Sequence, residues 1–173
     1  MILCKGTLSG VDDSKKLSAG ARARLDTEIR QRCAFGIGVV EAEEIDRINI
    51  FAATMLAMTR ATASLCEAIG TDTITTLIDG NMTPHGRCDQ WRWPARAIVG
   101  GDALEMCIGA ASILAKQYRD ALMLEAAKAH PHYGWERNKG YGTREHIEAL
   151  NRHGPTPLHR RSFAPVAQLA MPL

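Results

Sequence analysis

The chain has 173 residues, of which 46% are apolar and 23% charged, with a formal net charge of +2. That length suits one domain able to bury most of its apolar surface, and ordinary globular usage excludes a fibrous repeat or a disordered segment. A charge so close to zero carries no argument for nucleic acid by itself; any such argument must come from how the charges are distributed.

In chain order, Ser18 is placed to cap a helix running to about Arg32, in which Ala21, Leu25 and Ile29 recur at four-residue spacing while Arg22, Arg24, Glu28 and Arg30 face water. Cys33 to Val40 reads as a strand, with Gly36 and Gly38 set between apolar residues, and hands over to a short acidic helix at Glu41-Ala42-Glu43-Glu44. A second helix, from about Asn49 to Ile69, closes at Gly70. The β-branched run Thr73 to Ile78 predicts a strand that ends at Asp79-Gly80-Asn81. Residues 82–95 form a loop, after which Ala97-Ile98-Val99 predicts a strand ending at Gly100-Gly101-Asp102. From Ala103 to about Ala129 the sequence is helical, with Cys107, Ala111, Leu114 and Tyr118 as the inner stripe. Beyond His130-Pro131 the chain loops through Gly134, Gly140 and Gly142, forms a helix from Thr143 to about Arg152, and breaks at Gly154-Pro155. Strands alternating with helices predict an α/β fold and put Asp79 and Asp102 at strand ends, where such folds carry their sites.

Converging carboxylates of this kind bind hard cations: Mg²⁺ or Mn²⁺ on oxygen ligands activates water and stabilises the leaving oxygen of a phosphodiester. Taken singly, each Asp reads rather as a turn residue or a helix cap. Between Arg137 and Arg161, six Lys/Arg (Arg137, Lys139, Arg144, Arg152, Arg160, Arg161) face two acids, with His146, His153 and His159 interspersed. Such a region either neutralises phosphates or is a solvated helix face. Trp91 and Trp93 could stack on bases, but local packing is the favoured reading. The odd, scattered Cys4, Cys33, Cys66, Cys88 and Cys107, with no C-x-x-C pair, suggest neither a disulfide framework nor a zinc site and read mostly as small buried hydrophobes. No apolar run is long enough to span a membrane and Met1-Ile2-Leu3-Cys4 is too short for a signal-peptide core, so the expected location is cytoplasmic.

Eight segments, in order, resemble bacterial ribonuclease HII. They are Asp13-Ser14-Lys15-Lys16-Leu17-Ser18, Ala42-Glu43-Glu44-Ile45-Asp46-Arg47-Ile48-Asn49, Ile78-Asp79-Gly80-Asn81, Gly101-Asp102-Ala103, Ala110-Ala111-Ser112-Ile113-Leu114-Ala115-Lys116, His132-Tyr133-Gly134-Trp135, Lys139-Gly140-Tyr141-Gly142-Thr143 and the stretch from Gly154-Pro155-Thr156 through Ser162-Phe163. The resemblance implies a ribonuclease H-like layered fold, with a mixed β-sheet flanked by helices, as a single domain over 1–173 with a basic helical region from about 130. It implies an endonuclease that hydrolyses the RNA strand of RNA–DNA hybrids and cuts at ribonucleotides embedded in duplex DNA, by two-metal-ion catalysis with Mn²⁺ or Mg²⁺. By the same resemblance Asp79 and Asp102 are metal ligands and catalytic residues, and Tyr141 senses the ribose 2′-hydroxyl, the local feature separating RNA from DNA. Ser14, Lys15, Lys16 and Lys116, with Arg119 as an addition, would contact phosphates, which position a duplex without reading its sequence. A monomer is expected, with Pro165 to Leu169 as a hint of a partner contact.

One departure stands out. The family opens with a strand carrying Asp-Glu-Ala-Gly-Arg-Gly, whereas this chain contains no Asp-Glu dipeptide and no Gly-Arg-Gly; Asp12 and Asp13 fall in the loop after the family's second strand and do not replace them. The expectation is therefore a chain lacking that first strand, with impaired stability and hydrolysis. The alternatives are a non-catalytic module that holds RNA–DNA hybrid, and an α/β small-molecule enzyme using Asp79 and Asp102 with magnesium.

Overall fold

Ser18 starts the first helix as its side chain predicts: its Oγ accepts the Ala21 N–H at 3.2 Å, and α1 runs Ala19–Arg32. The computed structural model describes residues 1–4, 6–12 and 14–170, so Asp13 lies outside the described residues. The chain forms two compact units, Met1–Val40 with Phe51–Gln117, and Glu41–Ile50 with Tyr118–Leu173.

In the first unit, β1 (Ile2–Cys4) pairs antiparallel with β2 (Cys33–Phe35), and β3 (Thr76–Asp79) pairs parallel with β4 (Ala95–Ile98). The strand expected over Cys33 to Val40 stops at Phe35 because the next residues run along helix α2 (Ala42–Ile69) instead. A Cβ on Gly36 would sit 2.2 Å from the Ala61 carbonyl oxygen, and one on Gly38 would sit 2.1 Å from that of Ala57. Only bare backbone fits there. The expected strand from Thr73 likewise begins three residues later. Residues 71–74 close into a turn, with the Thr73 N–H on Thr71 Oγ1, and pairing starts where Thr76 donates from both N–H and Oγ1 to the Pro94 carbonyl.

α2 is broken at Asn49 (φ 67°, ψ 164°), which reproduces the expected short acidic helix followed by a longer one. Gly70, at φ 71°, ends it in the left-handed region, where its own N–H and that of Thr71 reach the Cys66 carbonyl. The helix expected from Ala103 is also two: α3 (Gly101–Leu104) and α4 (Met106–Ala129), separated by the extended Glu105. Along α4, Ile108, Ala110, Ile113 and Leu114 are buried while Cys107 and Ala111 are half-buried, so the inward face is turned slightly from the expected stripe.

Leu8, Leu25, Ile29, Ala110, Ile113 and Leu114 make one core, and Cys66, Ile78, Trp91 and Trp93 a second. The two tryptophans meet edge to face at 5.2 Å, which settles them as packing groups. Cys66, Cys88 and Cys107 are free thiols; Cys33 is disulfide-bonded, a bridge that cysteine spacing did not suggest. Among the described residues the two sheets are not bonded to each other. An apolar cavity of about 570 Å³ is lined by residues of β1 (Ile2, Leu3) and of β3 (Leu77, Asp79), with Ile108 and Ala111 of α4.

In the second unit, α5 (Trp135–Asn138), α6 (Arg144–His153) and α7 (Ala164–Ala167) gather around Tyr133, Trp135, Leu150 and Val166. Val166 of the expected partner-contact tail is therefore core. Thr143 caps α6 by accepting the His146 N–H, and Asp46 accepts the Arg161 and Ser162 N–H groups and the Ser162 hydroxyl. Those bonds, the Ser162 hydroxyl first, hold the Asp46 carboxyl below the ordinary carboxylate range. No helix among the described residues is long and apolar enough to cross a membrane.

Candidate active site

Strand β3 buries Ile78 and, by its two-residue period, turns the next side chain outward, so Asp79 ends the strand exposed to solvent. Its register partner is Ile98, the last residue of β4. Past that strand the backbone reverses at Gly100 (φ 67°), and the Gly101 N–H donates to Asp79 Oδ1 at 2.9 Å. Asp102 follows at once, in the first turn of α3, where a carboxylate is favoured by the unpaired N–H groups of the turn. Gly101 permits this closeness: a Cβ there would lie 2.6 Å from Ile108 Cδ1 and 3.4 Å from Asp79 Oδ1.

The structure thus bonds the Asp79 carboxylate to the residue that precedes Asp102. It leaves Asp79 with its second oxygen for a cation or a water. Among the described residues no group of three or more His, Cys, Asp or Glu could hold a metal ion. Two-metal chemistry requires a fuller set of oxygen ligands than two carboxylates.

The other expected contacts are distributed unevenly. In the same unit, Ser14 is buried and its hydroxyl is hydrogen-bonded to that of Ser112 at 2.8 Å, while its carbonyl accepts from Arg22 Nη1 at 3.0 Å. Arg22, expected to face water, instead pins the 14–17 turn, with a further bond to the Leu17 carbonyl. Lys15 and Lys16 are exposed, Lys16 at 3.9 Å from Asp12 Oδ1, and Lys116 is half-buried on α4. Tyr141 belongs to the second unit, where its ring is 55% exposed and lies under the Arg119 guanidinium at 4.7 Å.

The glycines flanking the two carboxylates point in the sequence to a close backbone approach, and the Gly101 N–H on Asp79 is that approach. Sequence reasoning counted His146 and His159 with the basic surface, whereas both are buried. For His146 the signal was its place on one helical stripe with Ala149 and Leu150.

The family profile described as Ribonuclease HII matches residues 7–166. The ribonuclease HII of Novosphingobium aromaticivorans is 66% identical over 173 residues, covering 99% of this chain and 88% of that one. That of Erythrobacter litoralis is 62% identical over 159 residues, covering 92% and 75%. Among solved structures, Bst-RNase HIII in complex with Mn²⁺ superposes with a TM-score of 0.75 at 21% identity, over 92% of this chain and 57% of that chain, a likeness of fold. With the profile spanning most of the chain and identities this high, the chain belongs to the ribonuclease HII family, a family of metal-dependent ribonuclease H hydrolases.

Proposed function

We propose that this protein is an endonuclease acting on the RNA strand of RNA–DNA hybrids and on ribonucleotides embedded in duplex DNA, with Mn²⁺ or Mg²⁺ as the cation. The observation that carries the reading is the joining of Asp79 to the Gly101-Asp102 turn at the ends of two parallel strands. When bound, the cations would supply an activated water and charge stabilisation at the leaving oxygen. What the chain itself contributes is a pair of carboxylates whose relative position is fixed by backbone. To this Lys15, Lys16 and Lys116 add positive charge for phosphates, and Tyr141 a ring for the ribose. A single chain acting as a cytoplasmic monomer is sufficient for this reading.

Hydrolysis requires carboxylates beyond these two. The apolar cavity lined by β1 and β3 fits an extended strand, whose backbone would pair with the unbonded strand edges on either side. A strand bearing the Asp-Glu and Gly-Arg-Gly of the family pattern would bring the remaining ligands beside Asp79. That no third ligand joins Asp79 and Asp102 among the described residues favours one alternative, a chain that holds hybrid without cutting it.

The test is Mn²⁺-dependent cleavage of a duplex containing one ribonucleotide. The 173-residue chain is expected to bind without cutting, and the same chain preceded by such a strand is expected to cut. Efficient cleavage by the shorter chain would show that the essential carboxylates lie elsewhere.

A further inference from the structure

The 139–142 loop that carries Tyr141 is tied to a buried chain of hydrogen bonds in the second unit. The Thr156 N–H donates to His159 Nδ1 at 3.0 Å; His159 Nε2 lies 3.2 Å from His146 Nε2; the Trp135 indole N–H donates to that same His146 Nε2 at 3.0 Å; and His146 Nδ1 lies 3.0 Å from the Tyr141 carbonyl. Both imidazoles are buried, at 7% and 8% exposure.

The donors at the two ends leave one arrangement of protons. A backbone N–H can only donate, so His159 Nδ1 is an acceptor and the His159 proton is on Nε2. An indole N–H can only donate, so His146 Nε2 is an acceptor, shared between Trp135 and His159, and the His146 proton is on Nδ1. There it faces the Tyr141 carbonyl, which can only accept. A second proton on either ring would set N–H against N–H. Burial, with His146 beside it, accordingly pushes His159 down to about 4.

We propose that His146 is a positioning residue for ribose recognition: its neutral imidazole, oriented by Trp135 and His159, fixes the Tyr141 carbonyl and with it the loop that presents the Tyr141 ring. This inference rests on the reading of Tyr141 as the ribose-sensing group. Two features make the role specific to the loop. The Tyr141 N–H donates to the Asn138 carbonyl and its carbonyl accepts from the Thr143 N–H, both within 138–143, while His146 Nδ1 links that carbonyl to the buried aromatic cluster. The ring itself is steadied from outside by Arg119.

The experiment compares binding of the full chain, in metal-free buffer, to a duplex with one ribonucleotide and to the all-DNA duplex of the same sequence. His146→Leu is expected to lower the ratio of the two affinities by about fivefold, the worth of one net hydrogen bond, while leaving affinity for all-DNA duplex unchanged. His146→Asn, whose amide nitrogen replaces Nδ1 as donor to the Tyr141 carbonyl, is expected to restore the ratio. Equal weakening toward both duplexes, or an Asn variant no better than Leu, would overturn the positioning role. Tyr141→Ala separates the two readings. If it leaves the ratio unchanged, the Tyr141 reading fails; if it abolishes the ratio while His146→Leu does not, the present inference alone fails. Should His146→Leu not fold, ¹⁵N spectra of the native chain decide: protons on His146 Nδ1 and His159 Nε2 are expected, and the opposite tautomers would overturn the relay.

Discussion

Asp79 is engaged before any cation arrives, because its Oδ1 already accepts from Gly101. That bond needs an acceptor oxygen and no charge, so Asp79→Asn keeps it while withdrawing the negative oxygen offered to a metal. Asp102→Asn does the same at the first turn of α3, with a small loss of helix-end stabilisation. In a chain completed with the Asp-Glu strand, either substitution is expected to cut turnover by more than about a hundredfold, the most that losing a mere supporting partner costs a metal site. The unfolding midpoint should stay within about 4 °C of the parent, the equivalent of 1 kcal/mol for a chain of this size. Turnover on embedded ribonucleotides and thermal melts of the same preparations check this, and unchanged turnover in either variant would remove it from the ligand set.

At the scale of elements, what was legible in the sequence is what local chemistry dictates. The Ser18 cap, the Gly70 stop, the helix start at Thr143 and the Asp79 carboxylate at a strand end all follow from side chains acting within a few residues of themselves, whereas Asp102 lies in the first turn of α3 and not at a strand end. What was not legible depends on partners distant in sequence. The end of β2 at Phe35 is set by the backbone of α2, and the start of β3 at Thr76 by Pro94; neither has a signal in its own segment. Similarly, nothing in the neighbourhood of His159 announces that His146 will approach it. The contact at Gly38 gives an expected outcome. Gly38→Ala would drive a methyl group against the Ala57 carbonyl, which helix hydrogen bonding holds in place, and is expected to cost at least about 3 kcal/mol. That lowers the melting midpoint by about 6–12 °C. Gly20→Ala, where nothing lies within 4 Å of the added carbon, is the matched control inside α1 and should be neutral or stabilising. Equal effects of the two would mean that the segment after β2 does not lie on the helix.

For the whole molecule, α4 contributes Met106–Gln117 to one unit and Tyr118–Ala129 to the other, so unfolding either unit frays a helix that the other uses. One cooperative thermal transition is the expected outcome, and two resolved transitions would count against a single domain. The pH dependence of that transition has a definite sign. His159 is pushed down to about 4 in the folded chain against an ordinary 6.5, because burial and then the neighbouring His146, with His130 further off, oppose its charge. The unfolded chain therefore binds the extra proton first, and the contribution of His159 is fully present above about 6.5 and lost as pH falls toward 4. Its size is on the order of 3 kcal/mol, two to three pKa units at 1.36 kcal/mol each. Tyr133 and Trp135 pack against the same ring without charge in this range. His159→Gln keeps a donor toward His146 and cannot charge, so its melting midpoint should fall less steeply than that of the parent between these pH limits. Melts followed by circular dichroism across that range measure the difference, and parallel curves for the two proteins would show that His159 is not the group that couples acid to unfolding.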